Sequence, residues 1–204
     1  MTAPGLDGVL AIRRSWCLPD EDILLCAASG SIGFDVAGLD WWGRGGQALT
    51  ASGMSPHLVV FGPSAAAEAP TACADLGGPA PMWCVLTPLR LAWVRAVEDR
   101  SEPDGSFLGR ARGFATSARE SLMGKSDYPA HRPVETVDVW SAAEVPRARI
   151  TSVTMAERTL PRDCATRDVH VLRVELADGS GVDVVAGREV EHARRLLDLA
   201  TGQR

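Results

Sequence analysis

The closing stretch of this 204-residue chain, Ile150 to Thr201, changes its hydrophobic period once, and no other sequence feature constrains the fold as much. Leu172, Val174 and Leu176 alternate with Arg173 and Glu175, which puts apolar groups on one side of an extended segment and charges on the other. The turn Asp178-Gly179-Ser180-Gly181 then leads into Val182 to Val185, so the pair reads as a β-hairpin. Beyond Gly187 the period becomes about 3.6. Val190, Ala193, Leu196, Leu197 and Ala200 share one helical face, opposite Glu191, Arg194, Arg195 and Asp198, and Gly202 sits where a C-terminal cap belongs. An open antiparallel sheet must cover an end or edge of its core, and an amphipathic helix of this kind can do so.

Upstream, Leu6, Val9, Leu10, Arg13 and Trp16 give a short helix an apolar stripe before Pro19. The run Ile23 to Ala28, set between acids and Ser29-Gly30, predicts a buried strand. Residues 29–81 are rich in glycine and proline and hold one compact strand candidate, Leu58 to Phe61; they read as an irregular insertion. Trp83-Cys84-Val85-Leu86 and Leu89 to Val94 flank Thr87-Pro88 and predict a second hairpin. A second insertion, 98–133, is polar at both ends, and between them Phe107, Ala111, Phe114, Ala118 and Leu122 recur at helical spacing. Val134 to Trp140 and Ala148 to Met155 are strand-like.

The length suits a single domain over residues 1–204, its core built from 21–28, 82–97 and 134–201. A net charge of −5 argues against nucleic acid as a partner. Lys125 is the only lysine among many arginines, a bias that suggests a high-GC bacterial genome. Cys17, Cys26, Cys73, Cys84 and Cys164 are odd in number and scattered, which favours small buried residues over a disulfide framework or zinc site. No apolar run is long enough to span a bilayer and the N-terminus lacks a signal-peptide plan, so a cytoplasmic setting is expected.

The stretch Trp83-Cys84-Val85-Leu86-Thr87-Pro88-Leu89-Arg90-Leu91-Ala92-Trp93-Val94, with Ile150-Thr151-Ser152-Val153 and the hairpin and helix that follow, resembles a bacterial pleckstrin-homology-like domain. The resemblance covers a little under half of the chain. It implies a mainly β (α+β) fold: a two-sheet antiparallel barrel or sandwich closed by a C-terminal amphipathic helix, here with two long insertions. It also implies a non-catalytic binding or adaptor module, since such domains bind proteins or, in some members, lipid headgroups. Headgroup binders need several basic side chains near their first strands. Between Glu21 and Phe61 this chain has only Arg44 and His57, which favours a protein partner.

Candidate contact residues follow from that expectation. Asp40-Trp41-Trp42 places two adjacent indoles in a loop, where both cannot face the same side, and Gly43-Arg44-Gly45-Gly46 adds a cation on a flexible turn. Trp41, Trp42 and Arg44 are therefore the expected partner contacts, with an exposed sheet edge as the other expected surface. The alternative is a peripheral membrane module using the helical segment 106–123, with Phe107 and Phe114 immersed and Arg110 at the headgroups. A third reading is an enzyme whose site is assembled from distant residues.

The motifs themselves predict no catalytic residue, metal or cofactor. Gly124-Lys125-Ser126 lacks the phosphate-loop glycine, since Arg119 holds that position. Ser29-Gly30-Ser31-Ile32-Gly33 is no nucleophile elbow, and Ser121 with Lys125 has the wrong spacing for a serine–lysine site. Glu189 and His192 form at most half of a metal site. Homo-oligomerisation through a sheet edge stays open.

Overall fold

The computed structural model describes residues 8–41, 55–76, 82–97 and 138–203. Within them lie three helices, α1 (Gly8–Ser15), α2 (Glu68–Cys73) and α3 (Val190–Thr201), and nine strands. The strands are β1 (Leu25–Ala28), β2 (Ile32–Val36), β3 (Leu58–Gly62), β4 (Met82–Leu86), β5 (Arg90–Ala96), β6 (Val139–Pro146), β7 (Ile150–Thr159), β8 (Asp168–Leu176) and β9 (Gly181–Gly187). They form two sheets, β1-β4-β5-β6 and β2-β3-β9-β8-β7. The fold is thus mainly β with a closing helix, and the two sheets do not join into a barrel among the described residues.

The main core lies between the sheets. Leu25, Cys84, Leu86, Leu91, Trp93 and Val145 from the first sheet meet Leu58, Val60, Leu172, Val174, Val182 and Val184 from the second. Leu196 and Ala200 of α3 close this core, as the change of period predicts. Gly202 adopts φ 72°, open to glycine at no steric cost, and the amides of Gly202 and Gln203 return to the carbonyls of Leu199 and Asp198.

Each sheet is also covered outside. Ala11 and Ile12 of α1 pack on Trp83, Val85, Ala92 and Val94. All five residues of β4 are consequently buried, which is why that strand is a continuous apolar run instead of an alternating one. Outside the second sheet, Leu160 and Cys164 cover Val59, Val169 and Val171.

Two expectations change. The described residues of the segment 29–81 do not stand apart from the core: β3 lies between β2 and β9, and Leu58, Val60, Ala69 and Cys73 are core residues. A glycine- and proline-rich composition hid this because β2 and β3 are only five residues each and pair across a long connection. The pairing of β2 with β3 is also parallel, a departure from all-antiparallel sheets. The chain crosses between sheets at Ser29–Ser31 and at Pro146–Arg149, where a 3-10 turn separates β6 from β7.

Candidate interaction edge

Trp41 falls within the described residues, whereas Trp42 and Arg44, and the membrane candidates Phe107, Arg110 and Phe114, lie outside them. Trp41 is half-buried and packs beside the Val59–Val171 cluster, its carbonyl accepting the Phe34 amide at 2.6 Å. Its indole lies over Gly33, where a Cβ would come within 2.8 Å of the ring. The glycine therefore makes room for the tryptophan.

The structure joins three polar groups of residues that are far apart in sequence. Ser31 Oγ and His57 Nδ1 lie 2.9 Å apart where β2 and β3 begin, and burial lowers the His57 pKa. Glu21, with its side chain fully buried, accepts from Thr87 Oγ1 at 2.7 Å, from Arg90 Nε and Nη2 at 3.0 and 2.8 Å, and from the Leu18 amide at 3.1 Å. Burial alone pushes its carboxyl up, but the hydrogen bonds from Arg90, Thr87 and Leu18 together hold it below the usual range. Arg90 also reaches Glu144 and stacks 4.0 Å from the Trp16 ring.

The third group lies on the outer face of the second sheet. Asp183 is fully buried and accepts from Arg158 Nε at 2.5 Å and from Arg173 Nε and Nη2 at 2.8 and 2.9 Å. Arg158 continues to Asp35 at 2.7 Å, and both guanidinium groups approach the Phe61 ring. In the Glu21 and Asp183 clusters the acid is saturated by donors from its own fold, as a structural pair requires. The cysteines are free; Cys73, Cys84 and Cys164 are buried, and burial pushes the Cys84 thiol up to about 12.

The sheet edges differ from these saturated interiors. A free edge offers unpaired backbone groups, and folds protect such edges by shortness, bulges, proline or charge. β1 has four residues, and β2 has five, its Phe34 amide already taken by Trp41. β6 has a bulge opposite Trp93/Val94, carries Glu144 and ends at Pro146. β7 is different: ten residues long, it has no charge from Thr151 to Ala156, and its one register shift lies at its start, between Ile150 and Ser152.

The direction of its free backbone groups follows from register. Leu160 N–H donates to the Arg167 carbonyl, and the Arg158↔Val169 and Thr159↔Asp168 pairs continue that register inward. In an antiparallel pair, residues alternate between bonding the neighbour and facing away from it. Thr154, Ala156 and Arg158 therefore bond β8, while Val153, Met155 and Glu157 direct N–H and C=O to the open side. Among the described residues no strand lies there. Val153 is half-buried against the main core and Ala156 against the outer cluster, while Thr154 between them is exposed and uncharged.

Sequence reasoning singled out the tryptophans and a sheet edge, without saying which strand forms that edge. The available signal was the uncharged stretch Thr151 to Ala156 within a strand-like segment. No family model matches the chain, and neither a curated protein nor a solved structure matches it.

Proposed function

We propose that this chain is a non-catalytic binding module of the pleckstrin-homology-like kind, cytoplasmic, which recognises a protein partner by strand addition to β7. The observation supporting this reading is the long edge of β7, uncharged from Thr151 to Ala156 and without a neighbouring strand on its open side among the described residues, whose outward backbone groups supply affinity while alternate side chains supply selectivity. Met155→Pro tests it, because the Met155 amide faces away from β8 and proline is tolerated on that side of an edge strand. With a short peptide of alternating valine and threonine in excess as probe, the Val153, Met155 and Glu157 amides of the native chain are expected to be protected from hydrogen exchange. Met155→Pro is expected to lose binding and stay folded. Unprotected amides, or undiminished binding by the variant, would overturn the reading.

The enzyme reading has one observation in its favour, the Ser31–His57 contact. Ser31 is 8% exposed, and the described residues bring no carboxylate into hydrogen-bonding contact with the His57 ring. Covalent labelling of Ser31 by a fluorophosphonate would revive it.

A further inference from the structure

We infer that the strand added to β7 is β7 of a second copy of this chain, paired antiparallel across a two-fold axis at Thr154. This rests on strand addition at β7 and names the occupant. In a symmetric antiparallel pair, the numbers of opposing residues must sum to twice the central one, so outward-facing residues meet only outward-facing residues. Centring on Thr154 sets Val153 opposite the partner's Met155, and Met155 opposite the partner's Val153. Both residues are half-buried and lie on the core-side face.

On the other face, Thr154 meets its own symmetry mate and Ser152 meets the partner's Ala156, so no like charges oppose one another. The ends are complementary as well. β7 is entered past Arg147 and Arg149, the latter bonded to Glu68, and left past the exposed Glu157, and antiparallel pairing brings each Glu157 toward the other copy's Arg147–Arg149 end. Arg158, the other charge at that end, is already neutralised by Asp183 and Asp35. A one-residue slip would set Val153 and Met155 against Thr154 or Ala156 from the opposite face, so the pleat excludes it, and among the registers the pleat allows, centring on Thr154 is the one that sets Val153 against Met155.

Sedimentation of the full chain, with Met155→Pro and Thr154→Cys as variants, tests this. The native chain is expected to sediment at twice 21.7 kDa, and Met155→Pro as a folded monomer by circular dichroism. Across a non-hydrogen-bonded pair the two Thr154 Cα atoms would be about 4.5 Å apart, within disulfide range, so Thr154→Cys should cross-link under mild oxidation while the native chain does not. A native chain that is monomeric at millimolar concentration, yet is protected at Val153 and Met155 by the valine–threonine peptide, overturns the second copy and leaves strand addition standing. A dimer that persists in Met155→Pro without a Thr154→Cys cross-link overturns the β7 interface. If neither self-association nor peptide protection is found, both readings fall.

Discussion

The outer faces of the two sheets are buried by opposite means. On the first, α1 lays Ala11 and Ile12 over Trp83, Val85, Ala92 and Val94, an apolar layer whose strength is area removed from water. On the second, one half is apolar under Leu160 and Cys164, and the other half is ionic, with Asp183 held between Arg158 and Arg173 over Phe61. An apolar cover loses stability in proportion to the side chain removed, and an ionic one loses it according to which charge is left alone. Apolar alternation therefore marks only some of the buried positions in a doubly covered sheet.

Asp183→Ala should give the largest effect. It leaves Arg158, whose side chain is 9% exposed, with Asp35 alone, and breaking such a buried pair costs roughly 3–5 kcal/mol. Urea denaturation measures this, and a loss under about 1 kcal/mol would show that the ionic half of the face contributes little. Ile12→Ala probes the apolar cover and should cost about 2–5 kcal/mol in the same assay, through lost burial and the cavity left behind. If the loss is far smaller, α1 is not the seal over the first sheet.

Glu21→Gln keeps the side chain's shape but removes its charge from the Arg90–Thr87 network, for an expected loss of about 1–3 kcal/mol at neutral pH. The folded carboxyl titrates below its ordinary value of 4.5, so its contribution is complete above that pH and disappears as pH falls through the lower folded value. Native and Glu21→Gln stabilities should therefore converge in acid; a pH-independent gap would assign the effect to packing. The smallest effect belongs to His57, whose folded pKa lies below the ordinary 6.5 because of burial. Between those two values the unfolded chain binds the extra proton, so stability falls as pH drops below 6.5, by at most about 1.4 kcal/mol per pH unit, and levels off at the folded value. His57→Gln should remove that step from the pH profile.

Much of the second sheet is legible in sequence because its signals are local. Leu172 to Val185 declares a hairpin by alternation and turn chemistry, and Val190 to Ala200 declares the helix that closes the core. β3 was legible as a strand but not as a strand flanked by neighbours on both sides, since its partners β2 and β9 are distant in sequence. Asp183 stands in an apolar strand as an unexplained acid, and nothing near it in sequence points to Arg158. The candidate edge was half legible: an uncharged strand can be read from Thr151 to Ala156, but whether a strand lies at an edge depends on what pairs with it.

The sequence by itself determined that β1, β3, β4, β5, β7, β8 and β9 extend and that α1 and α3 coil, because period, turn residues and caps act over a few positions. It determined the closing helix and its seat on an apolar core for the same reason. Only the tertiary structure decided that β6 and β7 turn a corner into different sheets, that Trp41 rests on Gly33, and that Asp183 lies between two arginines. It also decided that β7 is an edge among the described residues. These are pairings between distant residues, set by which faces can be buried together, and one-dimensional periodicity carries no record of the partner.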